Sequence, residues 1–207
     1  MISTTNLHEV IERELGKIEY PNSPSKLYQP IEYVMGLGGK RMRPILLLMA
    51  YQLFDENIEK AILPALGIEI FHNFTLLHDD IMDNAPIRRG QQTVHEKWDN
   101  NVAILSGDTM LVQVYQLLSD MDKSILKEVL SVFNKAATQV CEGQQWDMDF
   151  ETQENVQLAD YMKMIENKTA VLLAASLQIG GITAGAPKKS QNNLYHFGLN
   201  MGIAFQL

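Results

Sequence analysis

Asp79, Asp80 and Asp83 stand in the run Leu76-Leu77-His78-Asp79-Asp80-Ile81-Met82-Asp83, and Pro86-Ile87-Arg88-Arg89-Gly90 follows directly. Carboxylate oxygens next to guanidinium groups suit a phosphate ester held partly through divalent cations. The residues ahead of the aspartates are apolar at helical spacing (Ile62, Leu66, Ile70, Phe74, Leu77, Ile81), so a helix is predicted over residues 61–83, ending near Asn84 and Pro86. On that helix Asp79 and Asp83 are i, i+4 neighbours on one face, roughly 6 Å apart along the axis. Two like charges at this spacing destabilise a helix, and the macrodipole disfavours anions near its C-terminus. A merely solvated acidic helix end would avoid such a placement, whereas a site for a hard divalent ion, Mg²⁺ before others, would require it.

A second cluster lies upstream, at Gly36-Leu37-Gly38-Gly39-Lys40-Arg41-Met42-Arg43-Pro44. Its glycines predict a loop whose amides can approach an anion, with Lys40, Arg41 and Arg43 supplying charge. It is not a Walker loop, because the G-x-x-x-x-G-K-[ST] spacing is absent and no strand pattern precedes it.

These sites need elements to hold them, and the periodicity supplies helices. Segments 7–18, 45–54, 61–83, 102–118, 125–146, 158–179 and 191–206 carry helical patterns, divided by Asp, Asn, Gly and Pro clusters, without strand-like alternation or hairpin signals. The expected fold is all-α, one helical domain over residues 1–207, with no linker or low-complexity segment. Residues 169–187 contain no charged side chain before Lys188, but Ser176, Gln178, Gly180, Gly181, Thr183 and Gly185 dilute the run. A buried core helix ending in a loop near residues 180–187 is expected there, not a membrane span. The amino terminus shows neither the basic start nor the apolar run of a signal peptide.

Composition agrees with a globular enzyme domain. The chain has 207 residues, 46% of them hydrophobic, enough for one core. Cys141 is its only cysteine, so no intrachain disulfide can form and a reducing cytoplasm fits. A net charge of −8 argues against nucleic acid as a partner.

Taken together, the motifs resemble the trans-isoprenyl diphosphate synthases, or polyprenyl synthetases. G-G-K-R-x-R-P, H-D-D-x-x-D, I-R-R-G, Gly143-Gln144-x-x-Asp147, Lys168-Thr169 and Phe205-Gln206 occur in that family's order across almost the whole chain. The resemblance implies a helical bundle around a central substrate cavity, a homodimer, and Mg²⁺-dependent condensation of isopentenyl diphosphate with an allylic diphosphate. It implies Asp79 and Asp83 as metal ligands, with Asp80 as an alternate. Arg88, Lys168, Thr169 and Gln206 would meet the allylic diphosphate, with Asp147 facing the same region. Lys40, Arg43, His72 and Arg89 would hold isopentenyl diphosphate without metal.

In this family the bulk just upstream of the first aspartate motif sets product length. Phe74, five residues before Asp79, would then close the tunnel with Phe71, while Thr75 obstructs less, for a C15 or C20 product. The family's second aspartate motif follows F-Q-x, and the sequence stops at Leu207, so the helices beyond are expected to be missing and this piece alone to be inactive. Other readings are a class I terpene cyclase, which leaves the G-G-K-R-x-R-P cluster without a purpose, an H-D phosphohydrolase, which leaves Arg88 and Arg89 unexplained, and a non-catalytic partner subunit.

Overall fold

A computed structural model describes residues 2–207 as an all-helical assembly with one small hairpin. In chain order the helices are α1 (Thr4–Leu15), α2 (Ser25–Gly36), α3 (Met42–Gln52), α4 (Glu59–Met82), α5 (Val94–Lys97), α6 (Asn100–Ser119), α7 (Lys123–Phe150), α8 (Leu158–Ile165), α9 (Val171–Thr183) and α10 (Lys188–Gln206). Between α4 and α5, β1 (Ile87–Arg88) pairs antiparallel with β2 (Gln91–Gln92).

The long helix α4 is the axis of the bundle, packed against α6 and α3. Residues 64–71 of α4 are buried without a break, so this stretch is apolar nearly all round rather than on one stripe. Among the described residues it is the one helix long and apolar enough to cross a membrane, yet most of that stretch lies in the core. Phe71 meets Phe133 of α7 edge-on at 5.1 Å, and Phe133 meets Tyr115 of α6 at 5.8 Å, so one aromatic chain ties three helices together.

The uncharged segment is a buried core helix, as its composition suggests. Residues Val171–Leu177 and Ile179–Thr183 of α9 are all buried. Its glycines are points of close approach: a Cβ added to Gly180 would lie 2.2 Å from the Leu47 carbonyl oxygen of α3. The helix runs through Gly180 and Gly181 to Thr183 before the loop begins.

Three features depart from the sequence reading. Helix α2 is absent from the predicted set because Pro24 and Pro30 read as breakers, although Pro24 is its N-cap and the helix accommodates Pro30 within it. The hairpin escaped notice because each strand has only two residues, too few to alternate, with Arg89 (φ 53°) and Gly90 (φ 77°) making the turn. Arg41, read as a cation for a bound anion, is instead buried in the framework. Its Nη1 donates to Glu69 Oε1 at 2.7 Å, its Nε to Glu12 Oε1 at 2.7 Å, and its Nη2 to the Met35 carbonyl at 2.9 Å. The guanidinium thus joins α1, the end of α2 and α4 beneath the glycine loop.

Because the Arg41 and Glu69 side chains are 1% and 2% exposed, removing one leaves the other as an uncompensated buried charge. Arg41→Met is expected to cost about 3–5 kcal/mol of unfolding free energy in a urea titration. Lys40→Ala, next door but exposed, is expected to change it by less than about 0.5 kcal/mol.

Candidate active site

The glycine loop and the arginine hairpin meet although some fifty residues separate them. Gly38 (φ 70°) and Gly39 (φ 154°) take backbone conformations that side chains rarely adopt, and the chain then enters α3. Arg89 Nη1 donates to the Gly38 carbonyl, and a Cβ on Gly39 would stand 3.1 Å from the Arg89 guanidinium. Arg43, in the first turn of α3, donates from Nη1 to His72 Nε2 of α4 at 3.0 Å. Its Nε is buried with no partner, and no carboxylate among the described residues pairs with it. Burial pulls the Arg43 guanidinium down to about 10, with Glu69 opposing. Burial, then the neighbouring Arg43 and Arg89 cations, hold His72 well below the usual histidine range, so the imidazole is neutral at pH 7.

These side chains line a cavity of about 460 Å³, whose walls include Lys40, Arg43, His72, Arg89, Thr169 and Phe205. A second cavity, of about 280 Å³, adjoins it. It shares Arg43, His72, Thr169 and Phe205 and adds Asp79, Lys168 and Gln206. Two anion-sized spaces therefore lie side by side, one walled by cations and the other bordered by carboxylate and lysine.

The aspartates have three different surroundings. Asp79 borders the second cavity, and burial pushes its carboxyl up to about 6, with Lys168 and Arg88 pulling down and Asp83 and Asp80 pushing up. Asp83 is the exposed C-cap of α4, where the chain turns through Asn84 (φ 48°). Asp80 is turned inward at 4% exposure and accepts from Arg88 Nε at 2.7 Å. Among the described residues no three His, Cys, Asp or Glu side chains converge as a metal cluster. Asp79 and Asp83 still fit a hard divalent ion: they are oxygen-bearing, one turn apart and, unlike Asp80, not taken up by an arginine.

Lys168 and Thr169 lie in a turn of π-helix, residues Glu166–Ala170, inserted between α8 and α9. Such bulges reorient side chains inside an otherwise continuous helix. Gly143 of α7 explains how the bulge is accommodated, since a Cβ there would stand 2.2 Å from the Lys168 backbone nitrogen. One turn further along α7, Asp147 accepts from Lys168 Nζ. The Gly143-Gln144-x-x-Asp147 spacing thus combines a close backbone approach with a counter-charge for the lysine. The sequence reading had a single helix through residues 158–179; the bulge keeps α-like periodicity at both ends and left no signal in it.

Among the residues expected to set product length, Thr75 borders the second cavity, and its hydroxyl donates to the His72 carbonyl at 2.8 Å. Phe71 is fully packed against Phe133, and Phe74 lies between Phe71 at 5.6 Å and His78 at 4.7 Å. Two residues here were given no role from sequence. Gln144 lines the second cavity with a buried, unpartnered Oε1. The His78 ring rests against Gly107 of α6, where a Cβ would stand 2.3 Å from Nε2.

Residues 24–207 match the polyprenyl synthetase family. The chain belongs to that family. Among curated relatives it is 40% identical over 186 residues to a geranylgeranyl diphosphate synthase of Methanosarcina mazei, covering 89% of this chain and 57% of the relative. It is 36% identical over 208 residues to a short chain isoprenyl diphosphate synthase of Methanocaldococcus jannaschii, covering 100% of this chain and 63% of the relative. A crystal structure of a geranylgeranyl pyrophosphate synthase superposes with a TM-score of 0.96 at 46% identity, over 100% of this chain and 63% of that one. The chain therefore spans about three fifths of the length of these relatives.

Two measurements follow. Gly143→Ala forces a methyl group into the Lys168 backbone, so a loss of about 1–3 kcal/mol in unfolding free energy is expected. The second concerns pH. The His72 value in the fold lies below its unfolded value of about 6.5, so the unfolded chain takes up the proton first as pH falls. The stability contributed by neutral His72 is complete above about 6.5 and is lost below it. His72→Gln is expected to flatten the fall in stability between about pH 6.5 and 5, measured as urea midpoints across that range.

Proposed function

We propose that the whole protein is a Mg²⁺-dependent prenyltransferase that condenses isopentenyl diphosphate head to tail with an allylic diphosphate. The observation that carries this reading is the pair of adjoining cavities sharing Arg43 and His72, since two diphosphates must lie side by side for C–C bond formation. A terpene cyclase needs only one of them. The family membership and the relatives' names support the same reading.

In this reading Lys40, Arg43, His72 and Arg89 bind isopentenyl diphosphate without metal, and neutral His72 orients Arg43 rather than adding charge. Lys168, Thr169, Gln206 and Arg88 receive the allylic diphosphate beside Asp79 and Asp83, with Asp80 as an alternate ligand. Mg²⁺ held by these aspartates would supply charge stabilisation for departing pyrophosphate. Lys168 and Arg88 add fixed positive charge where negative charge develops, the arrangement most effective at lowering such a barrier. The apolar wall formed by Leu172 and Val140 excludes water from the allylic cation. A soluble homodimer of cytoplasmic location completes the proposal.

In the full-length enzyme, Lys40→Ala and Arg43→Ala are expected to raise KM for isopentenyl diphosphate more than for the allylic substrate, and Arg88→Ala and Lys168→Ala to do the reverse. Each change removes a charge-assisted contact of about 1.5–3 kcal/mol, and initial rates with each substrate varied in turn measure it. Equal effects on both substrates from all four would reject the two-site assignment.

Product length follows from the residues ahead of Asp79, for which C15 or C20 is proposed. Phe74→Ala, which vacates space between Phe71 and His78, is expected to lengthen the products, read by chromatography after dephosphorylation. Unchanged lengths for Phe74→Ala and for the Phe71→Ala, Phe74→Ala pair would place the limit on another helix.

A further inference from the structure

The hairpin that carries Arg88 and Arg89 has two residues in each strand, Ile87–Arg88 and Gln91–Gln92, too few to hold a position of its own. Its placement must come from outside contacts. Two of these belong to the arginines themselves: Arg88 Nε donates to Asp80 Oδ1 at 2.7 Å, and Arg89 Nη1 donates to the Gly38 carbonyl. The proposed function, on which this inference rests, turns both guanidiniums to diphosphates, so neither contact can be what holds the hairpin once substrate is bound.

Two holds use no substrate-facing residue. At the base of the hairpin, Thr93 N donates to the Pro86 carbonyl at 3.1 Å, and the Thr93 hydroxyl donates to the Ala85 carbonyl at 2.7 Å. These local bonds close the ribbon without fixing how it leans. Along its edge, Tyr33 of α2 donates its hydroxyl to the Gln92 carbonyl at 2.8 Å. Gln92 is the residue paired with Ile87, next to Arg88. The Tyr33 ring is in turn gripped by the segment that leaves β2: Lys97 Nζ lies 3.7 Å from its centroid, and Trp98 meets it edge-on at 5.4 Å. Helix α2 runs on into the glycine loop, so one helix holds the hairpin at Gln92 and meets Arg89 at Gly38. The circuit is closed.

We propose that Tyr33 is a positioning residue whose hydroxyl, bonded to the Gln92 carbonyl, fixes the hairpin so that Arg89 is presented to isopentenyl diphosphate and Arg88 to the allylic diphosphate. Tyr33 lines neither of the two cavities and acts through the arginines. One hairpin serves both sites, so its effect falls on both substrates, unlike that of Lys40 or Lys168. Saturating substrate draws both arginines into place, which puts the effect on KM and leaves kcat level.

The test is steady-state kinetics of full-length Tyr33→Phe, alone and combined with Arg88→Ala, Arg89→Ala or Lys40→Ala, with urea unfolding in parallel. Tyr33→Phe removes the hydroxyl and keeps the ring against Lys97, and the carbonyl it frees belongs to an exposed residue that water can serve. The unfolding midpoint is therefore expected to move little. Both KM values are expected to rise about fivefold with kcat level, the effect of one lost hydrogen bond. In the Arg89→Ala background Tyr33→Phe is expected to add nothing to the isopentenyl diphosphate KM, and in the Arg88→Ala background nothing to the allylic KM. Lys40 is not on the hairpin, so with Lys40→Ala the two effects on the isopentenyl diphosphate KM are expected to multiply. If Arg88→Ala and Arg89→Ala raise their KM values and Tyr33→Phe raises neither or only one, the hold on the hairpin is overturned while the function proposed for the site stands. Should Tyr33→Phe raise both KM values by the same factor without the arginines, or lower the unfolding midpoint and kcat together, Tyr33 is a packing residue and the proposal is overturned. If neither arginine variant changes a KM, the assignment of the hairpin fails and the positioning role fails with it.

Discussion

Arg43 is a half-buried guanidinium with no carboxylate beside it, and the arrangement of the site follows from that unmet charge. Three other cations near the site do have carboxylate partners. Arg41 is answered by Glu69 and Glu12, Arg88 by Asp80, and Lys168 by Asp147. Arg41 joins three helices through its pairs, whereas a cation with no carboxylate partner needs its counter-charge from outside. Arg43 and exposed Lys40 have no carboxylate ion-pair partner on one side of the shared wall, and on the other Asp79 is in no ion pair although Lys168 and Arg88 stand within electrostatic reach. Isolated charge in a partly desolvated site is costly, and its retention is the physical sign of a ligand of opposite sign.

The fold supplies rigid supports for that imbalance. Helix α4 carries His72 and the aspartates, α3 carries Arg43, and the π-turn against Gly143 carries Lys168 and Thr169. Arg41 anchors the glycine loop from below, and Arg89 bridges that loop to the hairpin. Residues from well-separated parts of the chain are therefore held on packed helices or on a loop pinned at both sides. Rigid placement is what allows fixed charges to act without reorganising.

Much of this was legible in the sequence, for physical reasons. Helix α4 and the aspartate face follow from apolar residues recurring at helical spacing up to Asn84, and the buried α9 from an uncharged run too diluted for lipid. The grouping of Lys40, Arg43, His72 and Arg89 around one cavity came from motif resemblance, and the geometry brings those four together. What stayed hidden depends on pairing across the fold. Nothing in G-G-K-R-x-R-P distinguishes Arg41, which is paired with Glu69, from Arg43, which has no carboxylate partner, because the difference lies in the left-handed backbone at Arg41 (φ 47°) and in a partner on another helix. The π-turn, the two-residue strands and the hold of Tyr33 on Gln92 are likewise tertiary facts. Fold class is written in periodicity, whereas the state of each charge is written in contacts.

The division of unmet charge across the shared wall has a direct thermodynamic consequence. Isothermal titration of the full-length protein with isopentenyl diphosphate, and separately with a non-reactive allylic diphosphate analogue, each with Mg²⁺ and with a chelator, measures it. Isopentenyl diphosphate should bind with the same affinity in both conditions, because cations alone meet it, while the allylic analogue should lose most of its affinity when the metal is removed. Equal dependence on Mg²⁺ for both ligands would contradict a wall that separates a cation-lined site from a carboxylate-lined one.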